Sequence, residues 1–220
     1  GAFLARTNGS ITISNDLTNA NRDIILMANR DCDVGSFSIT VDANAEVTGG
    51  SITLYGGDVV VGADLDAGSG AITFIEQCTT TTSVGIGVAT GYTMNIADAE
   101  LGFIKTSGSV TFQSLLGNID VTGVTQHAHL DQAVSAPVVI TASASSKTIT
   151  FDTSASTFHT LTCSSAGGIA VEYDLQTTSG ALALTSDGSA LALSPGVDLI
   201  SAAALTLNGH SITVVTITFS

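Results

Sequence analysis

The sequence predicts an all-β fold, with a parallel β-helix (a solenoid with irregular coils) favoured over a β-sandwich or jelly roll. A four-residue phrase recurs along the chain: a small residue, an apolar residue, threonine and a second apolar residue, as in Ser51-Ile52-Thr53-Leu54. Each copy alternates with a period of two, which is typical of a strand with one apolar face. Gly-, Ser- and Ala-rich turns lie between the copies, as expected between short strands.

The phrase and its variants place the strands in chain order. Copies of the phrase occupy residues 10–13, 38–41, 51–54, 71–74, 109–112, 148–151, 160–163, 204–207 and 211–214. Apolar runs predict further strands at 24–27, 58–61, 84–88, 137–142, 168–173, 181–185, 189–193 and 197–200. We expect one helical turn at 98–101 and an irregular excursion at 122–136, all within a single domain of residues 1–220.

The spacing of the copies favours the solenoid. Ser51 and Ala71 are 20 residues apart, and Thr160 and Ala181 are 21 apart, which is typical of one coil. The intervals of 38 from Ala71 to Ser109 and 39 from Ser109 to Thr148 are interpreted as two coils each. Intervals of 28 and 13 near the N-terminus break the pattern. Sandwiches favour Asn-Gly and Asp-Gly hairpin turns, whereas stacked coils put threonine over threonine and isoleucine over isoleucine.

Composition excludes several classes of partner. Five Lys and Arg stand against nineteen Asp and Glu, giving a net charge of −14, which would repel nucleic acid and anionic membrane surfaces. Charged residues make up only 11% of the chain, against about 25% in an average domain. No apolar run approaches the roughly 20 residues that span a bilayer. A hydroxyl-rich surface of this kind suits an extracellular or cell-surface location.

Three cysteines, Cys32, Cys78 and Cys163, are too widely spaced for a zinc pattern. Cys163 occupies an inward position of its phrase, which predicts a buried free thiol. One disulfide with one odd thiol is the alternative.

Candidate sites for chemistry are few. His127, His129 and Asp131 are interpreted as exposed rather than metal-binding, because no third strong ligand accompanies the two histidines. The carboxylate pairs Asp31/Asp33 and Asp64/Asp66 are interpreted as solvated turn residues, since no calcium-loop motif surrounds them. No nucleophile elbow, phosphate loop or tryptophan is present. We therefore expect no catalytic site, no cofactor and no metal, and a protein that is not an enzyme.

The segments Gly-Ser-Ile-Thr-Leu-Tyr-Gly-Gly-Asp-Val-Val-Val (50–61) and Gly-Ser-Val-Thr-Phe-Gln-Ser-Leu-Leu-Gly-Asn-Ile-Asp-Val (108–121) resemble the repeats of filamentous-haemagglutinin-type bacterial surface adhesins. The resemblance covers residues 35–75, 108–124 and 180–215. It implies a β-helix displayed outside the cell, and the repeats of that family carry no catalytic residues to transfer.

The functional prediction is an extracellular structural protein, a self-assembling subunit or segment of a filament, sheath or surface adhesin. The strand 211–219 holds no charge, glycine or proline, and an unprotected strand of this kind templates pairing with another chain. The predicted self-association residues are Ile212, Val214, Val215, Ile217 and Phe219.

The alternative function is ligand recognition, of ice or a glycan at a cell surface, by a flat threonine-rich β face. In this hypothesis three threonine pairs form the array. They are Thr148/Thr150, Thr160/Thr162 and Thr216/Thr218.

Replacing His127, His129 or Asp131 by alanine should change the free energy of unfolding by no more than about 0.5 kcal/mol, as at ordinary surface sites. Thermal unfolding of each variant measures this. Metal that copurifies with the protein in elemental analysis, and is lost in these variants, would contradict the prediction.

Overall fold

The computed structural model describes residues 1–29, 32, 37–78, 82–87, 91–125 and 136–213. Its strands form one 16-stranded sheet and two three-stranded sheets, and each strand pairing in these ranges is parallel. Parallel pairing throughout confirms the β-helix. It excludes the sandwich and jelly roll, which are built from antiparallel strands.

The described residues form twenty-two strands and one helical turn. In chain order they are β1 (Phe3–Arg6), β2 (Ile11–Ile13), β3 (Leu17–Met27), β4 (Ser38–Val41), β5 (Val47–Tyr55), β6 (Asp58–Val61), β7 (Leu65–Gly68), β8 (Ile72–Glu76), β9 (Thr82–Gly87), β10 (Met94–Ala97), α1 (Asp98–Leu101), β11 (Ile104–Thr106), β12 (Val110–Ser114), β13 (Asn118–Thr122), β14 (Val138–Ala142), β15 (Ile149–Phe151), β16 (Ser156–Phe158), β17 (Leu161–Ser165), β18 (Ile169–Val171), β19 (Leu175–Thr177), β20 (Leu182–Leu193), β21 (Leu199–Ser201) and β22 (Leu205–Thr213).

These strands stack in three faces around one apolar core. The first face contains, in stacking order, β1, the second half of β3, the second half of β5, β8, β12, β14, β17 and the first halves of β20 and β22. The second face contains β2, β4, β6, β10, β9, β13, β15, β18 and the second halves of β20 and β22. The third face contains the first halves of β3 and β5, β7 and β11, and further along the stack β16, β19 and β21.

Stacking places like residues above like on the first face. Ile52 pairs with Ile72, and Thr53, Thr73 and Thr111 form one row in adjacent coils. The rings of Phe74 and Phe112 stack with centroids 5.1 Å apart. The predicted alternation is confirmed: the apolar residues of these phrases are buried, whereas their threonines are only partly covered. The buried set is Ile52, Leu54, Ile72, Phe74, Val110, Phe112, Ile149 and Phe151, and the outward set is Thr53, Thr73, Thr111 and Thr150.

The glycines before the phrase lie where successive coils approach too closely to leave room for a side chain. A Cβ on Gly70 would lie 1.5 Å from the carbonyl oxygen of Gly50, and one on Gly108 would lie 2.2 Å from that of Gly70. Sequence reasoning assigned these residues to turn chemistry. The structure gives a steric reason instead, because successive corners touch backbone to backbone.

The irregular intervals have a simple origin, since the phrase is used on two faces. Residues 10–13 and 38–41 are neighbours on the second face, so their 28-residue interval is one long coil. The 13-residue interval leads from the second face to the first. Val110 pairs directly with Ile72, so the 38-residue interval is one coil rather than two. Thr148 precedes a second-face strand, so the 39-residue interval is not a whole number of coils.

The 38-residue coil is long because it carries an insertion. After β9 the chain returns to the second face as β10, which lies between β9 and β6, and then makes the predicted helical turn α1. Two carboxylates join β10 to β6. Asp58 accepts the backbone N–H of Asn95 at 2.9 Å, and Glu100 accepts those of Val61 at 2.8 Å and Ala97 at 2.7 Å.

Most predicted strands are present, but most of the third face was missed. Its strands β7, β11, β16 and β19 were not predicted, nor were β1, β10 and β13 on the other faces. The copy of the phrase at 160–163 begins in a corner at 159–160 that joins β16 to β17. Of the predicted excursion at 122–136, residues 126–135 lie outside the described ranges. Val124 is buried and its carbonyl accepts the N–H of Thr157 at 2.9 Å, so the excursion begins from the third face.

Phe112→Ala should lower the free energy of unfolding by about 3–5 kcal/mol, because it leaves a cavity inside the stack beside Phe74. Thr111→Ala, on the opposite side of the same strand, should cost about 0.5 kcal/mol or less. Urea unfolding followed by circular dichroism measures both. Equal losses in the two variants would contradict the assigned strand orientation.

Candidate functional site

Most of the predicted self-association segment lies outside the described residues. This applies to Val214, Val215, Ile217 and Phe219. Ile212 is described: it lies in the second half of β22, pairs with Leu191 on one side and is 44% exposed. The structure therefore places one of the five predicted residues, at the C-terminal end of the coil stack.

At this C-terminal end the core is incompletely covered. Leu205 and Leu207 occupy the inward positions that are fully buried in the preceding coil as Leu182 and Leu184, yet both are only partly buried. Among the described residues, β22 pairs only with β20 and β21 only with β19. The outer edges of these two strands therefore have free backbone groups in the part of the chain described.

The N-terminal end has the same character. Ala5, Ile11, Ile13 and Leu17 point toward the core but are only partly buried, and Phe3 is 39% exposed. Within the described ranges β1 pairs only with β3, and β2 only with β4. Sequence reasoning singled out the C-terminal strand and missed this second open end, although its signal is present as the uncharged phrase at 10–13.

The cysteines are resolved into one disulfide and one free thiol. Cys32 and Cys78 are bonded, which ties the connection after β3 to the corner after β8. Cys163 is free and fully buried, as predicted, and burial raises the pKa of its thiol. The alternative of one disulfide with an odd thiol is thus the observed state, and the odd thiol is inaccessible.

Many carboxylates act as acceptors for backbone N–H groups at corners and breaks, a role that the sequence did not reveal. Glu76 is fully buried and accepts the N–H of Cys78 at 2.7 Å. At least six others do the same: Asp16, Asp58, Asp66, Asp98, Glu100 and Asp174. Such bonds satisfy donors that the strand ladders leave unpaired.

The pair Asp64 and Asp66 is structural. Asp64 forms an ion pair with Lys105, which raises the pKa of that lysine, and Asp66 accepts the N–H of Gly68 at 2.8 Å. Asp31, Asp33, His127, His129 and Asp131 lie outside the described residues. Within the described ranges no group of three or more His, Cys, Asp or Glu side chains is arranged to hold a metal ion.

The second face carries a half-buried carboxylate cluster. Burial raises the pKa of Asp120, and the nearby charge of Asp152 raises it further, while the hydroxyl of Tyr92 donates a hydrogen bond to it. Burial and that same contact raise the pKa of Tyr92. Asp120 pairs in the ladder with Gly85, which is buried.

The threonine array of the recognition hypothesis is not assembled as predicted. Thr148 and Thr150 belong to the second face, whereas Thr160 and Thr162 belong to the first. Thr216 and Thr218 lie outside the described residues. A single flat array of the described pairs is therefore wrong.

A different regularity emerges on the first face. From Thr53 to Asn208 no outward strand position carries a charge, although the chain has a net charge of −14. These outward residues are Thr53, Tyr55, Thr73, Ile75, Thr111, Gln113, Val139, Thr141, Thr162, Ser164, Ala183, Thr185, Thr206 and Asn208.

No protein family, curated protein or solved structure matches this chain. The resemblance to adhesin repeats therefore stays a prediction.

None of the helical residues in the described ranges belongs to a helix long and apolar enough to cross a membrane.

Protonation of Glu100 and Asp120 should stabilise the fold as pH falls from neutrality toward the ordinary carboxyl range. The folded-state pKa values of Glu100 and Asp120 are raised above their ordinary values, mainly by burial. The folded chain therefore binds more protons than the unfolded chain, and this contribution is present at low pH and is lost as pH rises through the folded-state values. Thermal unfolding across this range measures the slope.

Asp120→Asn should make that slope shallower, because the amide oxygen still accepts the Tyr92 hydrogen bond without titrating. Asp187→Asn, at an exposed position of β20, is the matched control for the loss of one charge. A slope unchanged by Asp120→Asn, or changed equally by both variants, would refute the assignment.

Proposed function

We propose that this chain is an extracellular structural protein, a self-associating segment of a filament, sheath or surface adhesin. The observation that supports this is the pair of open ends, where inward residues and strand edges are uncovered in the described residues. Free strand edges template pairing with another chain. Terminal coils without a polar outer surface need a partner to bury their core positions.

The two ends are complementary in a head-to-tail arrangement. Continuing the first-face ladder in register places Leu205 and Leu207 of one copy against Phe3 and Ala5 of the next. Ile212 then faces Ile11 on the second face, and Leu199 faces Leu17 on the third. Each large apolar side chain that becomes fully buried contributes roughly 1.5–3 kcal/mol. A head-to-tail contact of this kind produces a fibre unless its rotation closes a ring.

Two features support a location outside the cell. The Cys32–Cys78 disulfide belongs to oxidising compartments, where such bonds form and persist. The outward side chains of the first face are mostly hydroxyl-bearing or small, which keeps the surface soluble with little charge. Both are consistent with the adhesin-like resemblance of the repeats.

We infer that the protein is not an enzyme. The carboxylates of Glu76, Glu100 and Asp58 are engaged as acceptors of backbone N–H groups, and that of Asp120 accepts a hydrogen bond from the Tyr92 hydroxyl. In this proposal the working chemistry is backbone pairing and apolar burial, and the principal partner is another copy of the chain. A cell-surface or glycan ligand is the secondary partner.

A disulfide trap tests the end-to-end contact. In the double variant Leu4→Cys/Thr206→Cys, the two positions are outward and exposed, and in-register stacking makes them neighbours across the copy boundary. Adjacent strands lie about 4.8 Å apart, within disulfide range. Mild oxidation should give a ladder of covalent oligomers on non-reducing gels.

The matched control is Leu4→Cys/Ala170→Cys, whose second cysteine lies in the middle of the stack on the second face. It should give no ladder beyond background. Deletion of 211–220, or Val215→Pro, should reduce light scattering and fibres seen by electron microscopy. A wild-type chain that stays monomeric at high concentration and salt would refute the proposal.

A further inference from the structure

We propose that the first face is a lateral docking surface, through which one stack of this protein packs against the same face of a second stack. The inference rests on the proposed end-to-end association and adds the surface by which filaments join side by side. The docking surface is the set of outward residues from Thr53 to Asn208 named above, without Ile75, which is buried.

Charge segregation selects this face. The second face carries Asp120 and Asp152, and the third carries Asp66 beside the ion pair of Asp64 with Lys105. Two copies that met through either of those faces would place like charges opposite one another, which is unfavourable. Outward charges on the described strands of the first face are confined to Arg6 and Asp23 in its first two coils. Its outward strand positions from Thr53 onward are uncharged, so this part of the face offers a contact without that repulsion.

The face is also regular. Its pairings from β5 through β8, β12, β14, β17 and the first halves of β20 and β22 keep one register. The second and third faces shift register, at Asn118/Ile119 and at Lys105/Thr106. The docking surface therefore presents continuous rows of mainly small or β-branched side chains. Hydroxyls can both donate and accept, so opposed rows of threonine and serine can pair directly or through water.

Area explains why the partner is a stack rather than a single chain. Seven strands about 4.8 Å apart, with outward residues spread over about 13 Å, give roughly 400 Å² per copy. A specific interface needs about 800 Å² per partner. One copy is too small to hold a second, but copies joined end to end add their areas within one rigid body, so that pairing becomes cooperative with filament length.

Charge insertion in one coil tests the proposal. Thr162→Glu places a carboxylate in the docking surface, and Gln176→Glu places one on the third face of the same coil. Both sites are outward, so both variants should fold, which circular dichroism checks. Electron micrographs at about 0.15 M salt, where charges are screened beyond about 8 Å, then count paired and single filaments.

Wild-type filaments and Gln176→Glu filaments should pair equally, whereas Thr162→Glu should reduce the paired fraction at least about tenfold without shortening the filaments. Thr111→Glu is a second variant on the same surface and should act alike. Wild-type filaments that remain single at every salt concentration would overturn lateral docking. Equal pairing by Thr162→Glu and wild type would also overturn it.

The outcomes separate the two proposals. If no filaments form in any variant, the end-to-end proposal fails and lateral docking fails with it. If filaments form but stay single, only lateral docking fails. Single filaments that bind ice or an immobilised neutral glycan, and lose that binding in Thr162→Glu but not in Gln176→Glu, would reassign the first face to ligand recognition.

Discussion

Parallel, in-register backbone pairing is the constraint on which the whole structure depends. Each coil must lie about 4.8 Å above the last, so every inward position is restricted by the residue beneath it. This explains why isoleucine lies over isoleucine at Ile52 and Ile72, and why Phe74 and Phe112 stack. It also explains why corner glycines recur where successive coils touch. Extra chain is accommodated between strands, as the return of β10 shows, and not within them.

Where the backbone ladder is interrupted, acidic side chains accept the hydrogen bonds of the backbone N–H groups that it leaves unpaired. The junction of β6 and β10 is held by Asp58 and Glu100, which accept backbone N–H groups on both sides. Glu76 has the same role at a corner, although it is fully buried. A carboxylate in such a place loses hydration but gains charge-assisted bonds. At least seven of the nineteen acidic residues thus have a structural role.

The fold class and most strands were predictable because the phrase alternates strictly, and alternation specifies which side of a strand is buried. Most of the third face was not, because strands such as β19 (Leu175–Thr177) and β16 (Ser156–Phe158) are three residues long and lack the phrase. Coil lengths were misjudged because the phrase occurs in strands of two faces. The interval between two copies of the phrase is therefore not always a whole number of coils. Of the candidate site, Ile212 was predictable from its uncharged strand. The N-terminal opening and the neutrality of the first face depend on which strands become neighbours, which spacing alone does not give.

The Cys32–Cys78 disulfide has a mechanical consequence. It closes a loop of 46 residues that contains strands of all three faces, from β4 to β8. A chain pulled from its two ends peels off its outermost coils first, because each coil is held by its neighbours alone. When peeling reaches this loop, the covalent link carries the load. The chain between the two cysteines, about 150 Å long when fully extended, is then not pulled out. The bond therefore acts as a strain limiter that leaves the coils between the two cysteines wound under load.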